Sequence, residues 1–89
     1  ALLDCHHPAI SADGRFVAYL EERPRGRREM CRVHLYDREQ DRYQRLRCPG
    51  ALVEQAEEAH GYFSADAAEL GWHVPGQAEP IVLFNPLRR

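Results

Sequence analysis

The stretch HPAISADGRFVAYL, residues 7–20, returns in altered form as HGYFSADAAELGWH, residues 60–73. At this offset of 53 residues, the tripeptide Ser-Ala-Asp at 11–13 recurs at 64–66 without a gap. Internal repeats are typical of architectures in which each copy forms one supersecondary unit. The repeat therefore predicts that both halves of the chain adopt the same local structure.

Each copy carries the pattern of a β-strand. Side chains at alternate positions of a strand point to opposite faces, and in the first copy both faces are apolar. One face holds Phe16, Ala18 and Leu20, and the other holds Val17 and Tyr19. This pattern is expected of a strand in a sheet that has neighbours on both sides.

A tight turn precedes each of these strands. Ser and Asp side chains bond the local backbone in such turns, and Gly14 tolerates a positive φ. The second copy has Ala67 at the position of that glycine. Its turn therefore either needs no positive φ or carries strain.

The segments CRVHLYD and RYQRLRC predict an antiparallel pair of strands around a four-residue loop, 38–41. The predicted register pairs Asp37 with Arg42, Tyr36 with Tyr43, Val33 with Leu46, Arg32 with Arg47 and Cys31 with Cys48.

These residues resemble a repeat of the TolB-like, or WD40-like, β-propeller class, in which a Ser-x-Asp-Gly turn precedes a strand and an "LYD" strand follows. The second copy, with IVLFN at 81–85 in place of VHLYD at 33–37, resembles a degenerate blade truncated after its third strand. Complete propellers have about 4–8 blades. The resemblance therefore implies a fragment of a larger propeller, assembly with further copies, or two repeats repacked into a compact small domain.

We expect a mostly β fold, with small antiparallel sheets built from two propeller-blade-like repeats in one small domain, 1–89. The first repeat is 7–48, the linker is 49–59 and the second repeat is 60–86. Good helix formers between Gly50 and Gly61 predict one short helix near 51–60. A surface connection between the repeats fits that segment equally well.

Several classes of function are disfavoured by the sequence. The formal net charge of −2 argues against nucleic acid as a partner, and no apolar run approaches the roughly 20 residues of a membrane-spanning helix. Neither a Gly-x-Ser-x-Gly elbow nor a phosphate-binding glycine loop is present. We therefore predict that the chain is not an enzyme and uses no cofactor.

The expected function is a non-catalytic protein–protein interaction module, with a protein partner or a second copy as its ligand. Incomplete blades would leave aromatic side chains on an open face, which favours protein partners. An arginine-rich loop supplies a second candidate surface. The predicted binding residues are Arg23, Arg25, Arg27, Arg28, Tyr36, Tyr43 and Trp72. An accessory or regulatory fragment of a larger propeller-containing hydrolase is the alternative that the resemblance implies.

The cysteines allow two interpretations. Directly opposed strand residues lie close enough for Cys31 and Cys48 to form a disulfide. A bridge implies an oxidising compartment, periplasmic or secreted, whereas reduced cysteines fit a cytoplasmic protein.

A third functional hypothesis is a small metal-responsive protein. The sequence DCHH gathers potential ligands in a row, but adjacent residues rarely converge on one ion. Cys5, His6, His7 and His60 are therefore only weak candidates, and no metal site is predicted.

Overall fold

The computed structural model describes residues 4–5, 8–22, 31–53 and 58–88, apart from the side chains of residues 4, 5, 22, 31, 51 and 53. Within these residues the chain is mostly β, as predicted, with one helical turn. The elements are β1 (Asp4–Cys5), β2 (Ala9–Ile10), β3 (Phe16–Glu22), β4 (Cys31–Asp37), β5 (Arg42–Arg47), α1 (Gly50–Val53), β6 (His60–Phe63), β7 (Glu69–His73) and β8 (Ile81–Phe84).

The strands form two antiparallel sheets that follow the order of the chain. Sheet 1 has the order β1-β3-β4-β5, and β2 also pairs with β3. Sheet 2 has the order β6-β7-β8. The predicted small antiparallel sheets are therefore confirmed. Of the helix predicted near 51–60, the described residues form one helical turn, α1 at its start, whereas 54–57 lie outside the described residues and His60 belongs to β6.

The β4–β5 hairpin has the predicted register. The observed pairs are Asp37 with Arg42, Tyr36 with Tyr43, Val33 with Leu46 and Arg32 with Arg47. A four-residue turn joins the two strands, and Asp41 closes it with a φ of 53°. Asp and Asn adopt positive φ at lower cost than most residues, which suits Asp41 to this position.

Asp37 anchors the end of this hairpin from a fully buried position. Arg15 donates from Nε and Nη2 to its two carboxylate oxygens, each at 2.9 Å. Arg42 Nη2 and the backbone N–H groups of Glu39 and Gln40 also donate to it. The Arg15 guanidinium above all, together with these other donors, holds the pKa of Asp37 well below its ordinary value.

The two Ser-Ala-Asp turns have the same hydrogen bonds. In the first turn, Ser11 Oγ donates to Asp13 Oδ1 at 2.7 Å and accepts from the backbone N–H of Phe16 at 2.9 Å. In the second turn, Ser64 Oγ donates to Asp66 Oδ1 at 2.9 Å and accepts from the backbone N–H of Glu69 at 3.1 Å. The shared pattern makes Phe16 and Glu69 structurally equivalent, at the offset of 53 residues.

The two turn aspartates also have the same environment. Asp13 accepts from the backbone N–H of Arg15 and Asp66 from that of Ala68, each at 3.0 Å. These backbone bonds, followed by the serine hydroxyls, lower the pKa of both carboxyls. The local structure of the repeat is therefore encoded by the short turn itself.

The second turn does need a positive φ at Ala67, and it therefore carries backbone strain. Gly14 has a φ of 77° and Ala67, at the equivalent place, has a φ of 61°. This left-handed conformation disfavours a side chain with a Cβ atom. Ala67 is buried in the core, so packing of its methyl group offsets part of that cost.

We predict that Gly14→Ala lowers the free energy of unfolding by about 1 kcal/mol. No atom lies within 4 Å of the place where a Cβ would stand, so the loss comes from the backbone alone. Gly50→Ala is the matched control, because its Cβ also meets open space and its φ is not in the left-handed region. Urea unfolding measures both. Equal effects of the two substitutions would contradict the prediction.

Each sheet has two faces, which we call face A and face B. Face A is defined by Phe16, Ala18 and Leu20 in sheet 1, and by the equivalent positions 69, 71 and 73 in sheet 2. Face B is defined by Val17 and Tyr19 in sheet 1, and by the equivalent Leu70 and Trp72 in sheet 2. Residues on neighbouring strands belong to the face of the residues that they pair with.

The core lies between face A of sheet 1 and face B of sheet 2. Sheet 1 contributes Phe16, Ala18, Leu20, Val33 and Leu35, and sheet 2 contributes Leu70 and Trp72. The Phe16 and Phe63 rings meet across the core at 6.2 Å between centroids, and Leu52 of α1 is fully buried there. The two repeats therefore present opposite faces to each other.

The last residues tie the two sheets together. Arg42 Nη2 donates to the backbone carbonyl of Leu87 at 2.6 Å. The buried Asn85 donates from Nδ2 to the carbonyl of Ala67 at 2.8 Å and accepts from the backbone N–H of Leu87 at 3.0 Å. Leu87 itself is buried in the core. This segment is therefore bonded to β5 and to the second Ser-Ala-Asp turn.

Candidate interaction surface

Face B of sheet 1 carries a row of apolar side chains across the four strands β2, β3, β4 and β5. The register pairs Ile10 with Val17, Val17 with Tyr36, and Tyr36 with Tyr43. Ile10 is 57% exposed and Tyr43 is 55% exposed, while Val17 and Tyr36 are half-buried. The row is thus a continuous apolar strip that faces away from the core.

A buried polar group holds the end of this strip. His34 bonds through Nε2 to Glu21 Oε1 and through Nδ1 to the hydroxyl of Tyr43. The ring of Tyr19 stacks on His34 with 4.8 Å between centroids. Glu21 and His34 are buried, so these contacts fix the ring of Tyr43 in one orientation before any partner binds.

A second tyrosine of the strip is also held in place. The hydroxyl of Tyr36 donates to Asp41 Oδ1, and this bond, followed by partial burial, raises the pKa of the phenol. A fixed aromatic side chain loses little conformational entropy when a partner covers it. Both tyrosines are therefore suited to binding.

Three arginines lie on the same face. The register places Arg45 opposite His34 and Arg47 opposite Arg32. Arg45 and Arg47 are exposed and Arg32 is half-buried. Tyrosine and arginine are among the residues that contribute most to protein interfaces, so the composition of this face favours a protein ligand.

Face A of sheet 2 also carries exposed apolar side chains. Phe84 is 78% exposed and Val82 is 44% exposed, and they pair with Glu69 and Gly71 of β7. The ring of Tyr62 lies directly over Gly71, where a Cβ would come within 2.7 Å of the phenol oxygen. A side chain at position 71 would displace the Tyr62 ring, and its absence lets that ring lie against the sheet.

The predicted binding residues divide into three groups. Tyr36 and Tyr43 lie together on face B of sheet 1. Trp72 does not join them, because it is only 3% exposed and packs in the core on face B of sheet 2. The four arginines of the predicted loop, Arg23, Arg25, Arg27 and Arg28, lie outside the described residues.

The predicted binding residues did not include Ile10, Val82 or the Glu21–His34 pair. The unbroken apolar run IVLF at 81–84, which places apolar side chains on both faces of a strand, was an available signal for Val82. The burial of Glu21 had no signal in the sequence, because its histidine partner comes from another strand, 13 residues away.

The weak candidates for metal ligands are only partly described. His6 and His7 and the side chain of Cys5 lie outside the described residues. His60 is exposed on β6, opposite His73 of β7. Within the described part of the chain, no group of three or more His, Cys, Asp or Glu side chains is placed to hold a metal ion.

Cys48 is buried and is disulfide-bonded. The side chains of the other two cysteines lie outside the described residues. Cys31 and Cys48 each lie one position beyond the last pair of the hairpin, Arg32 with Arg47. The backbone of Cys5 instead pairs with Glu21, on the far side of β3. The Cys31–Cys48 bridge therefore stays a prediction that the register favours.

We predict that the protein purified without reductant contains one free thiol, on Cys5, and a peptide cross-link between Cys31 and Cys48. Thiol titration in denaturant and mass spectrometry of the unreduced digest measure both. Cys48→Ser should lower the free energy of unfolding by about 2–4 kcal/mol, since the bridge restricts the unfolded chain. Cys5→Ser is the control. Three free thiols, or a cross-link from Cys5, would contradict the prediction.

No protein-family model, curated protein or solved structure matches this chain. The described residues also include no helix that is long and apolar enough to span a membrane.

Proposed function

We propose that this chain is a non-catalytic protein-interaction module built from two propeller-like β repeats. The observation that carries the proposal is the apolar strip on face B of sheet 1, where Ile10 and Tyr43 are each more than half exposed. Contiguous exposed apolar surface marks interaction sites in soluble proteins. The proposed ligand is therefore a folded protein surface with apolar side chains at its centre.

The chemistry of the strip supports binding. Tyr43 is held by His34, and His34 by Glu21, so the aromatic anchor needs no rearrangement. Arg45 and Arg47 stand beside it, and they give the rim of the surface a positive charge that suits a partner with acidic groups around an apolar centre.

Two features support the propeller-like character of the repeats. The Ser-Ala-Asp turns share their hydrogen bonds at an offset of 53 residues. The sheets also stack with unlike faces together, as successive blades do when each is related to the next by one rotation. A sandwich related by a two-fold axis would instead bring like faces together.

The experiment that tests the proposal compares three immobilised proteins. They are the wild type, the double variant Ile10→Ser/Tyr43→Ser, and the control Gln77→Ser in the exposed loop before β8. We expect the wild type and the control to retain the same protein from a native extract, and the double variant to lose it. Calorimetry with that protein, purified, should show a dissociation constant at least about ten-fold higher for the double variant. If no retained protein depends on face B of sheet 1, the proposal fails.

A further inference from the structure

Inside the chain a face A packs against a face B, and the two remaining faces are again one face A and one face B. Face A of sheet 1 covers face B of sheet 2, with Phe16 and Phe63 in contact. Among the described residues, no sheet covers face B of sheet 1 or face A of sheet 2. A contact between these two faces in different molecules would repeat the arrangement that exists within one molecule.

We infer that the partner is a second copy of this chain, stacked head to tail, so that face A of sheet 2 in one copy covers face B of sheet 1 in the next. This inference rests on the proposed function and names its partner. The contact is heterologous, because each copy contributes a different surface to it.

The side chains of the two faces are complementary. Phe84 and Val82 on one face are exposed apolar groups, and the apolar strip of Ile10 and Tyr43 is available on the other. Exposed charges also differ in sign. Glu69 lies beside Phe84, whereas Arg45 and Arg47 lie on the face that would cover it.

The contact between the two sheets of one chain shows how the sheets of neighbouring copies would be arranged. The first strands of the two repeats, β2 and β6, lie side by side, and a Cβ on Gly61 would stand 3.5 Å from the Cβ of Ala9. Sheets joined along one inner edge fan out around it, and a heterologous contact of that kind closes into a ring when its rotation permits. Rings of about 4–8 sheets are known in propellers, which corresponds to two to four copies of this two-sheet chain.

The test measures solution mass by light scattering behind a sizing column, over a wide concentration series. The wild type and the control Gln77→Ser should exceed the 10.3 kDa of one chain, and reach about two to four times that mass as concentration rises. Phe84→Ser disrupts the apolar surface of face A of sheet 2, and Tyr43→Ser disrupts that of face B of sheet 1. Each variant alone should have a dissociation constant raised at least about ten-fold, so that it stays monomeric at concentrations where the wild type associates.

Mixing the two variants separates a head-to-tail contact from an isologous one, in which like faces meet. The Phe84→Ser copy keeps face B of sheet 1 intact, and the Tyr43→Ser copy keeps face A of sheet 2 intact. An equal mixture should therefore form a pair of about twice the single-chain mass, with no larger species. If Tyr43→Ser does not fold, as judged by circular dichroism, Ile10→Ser takes its place.

Three results overturn the inference. They are a wild type that stays monomeric throughout, an association that survives either variant alone, and a mixture that does not associate. A monomeric wild type that still retains another protein through face B of sheet 1 refutes the second copy and leaves the proposed function standing. If that retention is absent as well, both fail.

Discussion

We expect Trp72→Ala to lower the free energy of unfolding by about 3–5 kcal/mol, which is a large part of the stability of a small domain. The side chain is only 3% exposed and packs in the core with Leu70 and Phe16. Its removal leaves a cavity between the two sheets that neither can close alone. Urea unfolding followed by circular dichroism measures the effect, because the chain has one tryptophan and the variant has none.

Phe84→Ala is the matched control for this prediction. Phe84 is an aromatic residue of the same sheet, but it lies on the opposite face and is 78% exposed. At protein concentrations where the chain is monomeric, its removal should change the free energy of unfolding by no more than about 0.5 kcal/mol. Similar losses for both variants would show that the core is not between face A of sheet 1 and face B of sheet 2.

The second large effect is expected at Asp37, where Asp37→Ala should lower the Tm by more than about 10 °C. The substitution leaves Arg15 without its bidentate partner and removes the acceptor of two backbone N–H groups. Glu39→Ala is the control, because Glu39 is an exposed partner of the same Arg15, at 3.2 Å. Exposed ion pairs contribute little, so a Tm change at Glu39 as large as that at Asp37 would contradict the prediction.

The same residue predicts how stability depends on pH. The pKa of Asp37 lies below its unfolded value of about 3.8, so its contribution is complete above the unfolded pKa and is lost as pH falls through the folded pKa. The Tm of the wild type should therefore fall as the pH is lowered below about 3.8. Asp13 and Asp66, whose pKa values are also lowered, keep some of this slope in Asp37→Ala. A variant with the full slope of the wild type would refute the role of Asp37.

The local elements of this fold could be predicted because the interactions that form them are short in sequence. In each Ser-Ala-Asp turn, the serine and aspartate bond to each other and to backbone groups a few residues away. The register of β4 and β5 follows from the length of the four-residue loop between them. The sequence therefore identified the repeat, the strands and the hairpin.

The burial of Trp72 could not be predicted in the same way. Tyr19, its equivalent in the first repeat, is half-buried on face B of sheet 1, away from the core, whereas Trp72 lies in the core. The two positions share the same place in the repeat, so no local pattern separates them. The difference arises because sheet 2 packs against only one of the two apolar faces of sheet 1.

The sequence by itself determined the β strands, their turns and the pairing within each repeat, since hydrogen bonds to near neighbours and the two-residue period specify them. Only the tertiary structure decided which faces form the core and which stay open. Both faces of each sheet are rich in apolar side chains, and their burial is set by contacts between sheets that are distant in sequence. That choice puts Trp72 inside and leaves Ile10, Tyr43 and Phe84 exposed, and the proposed interaction surface depends on it.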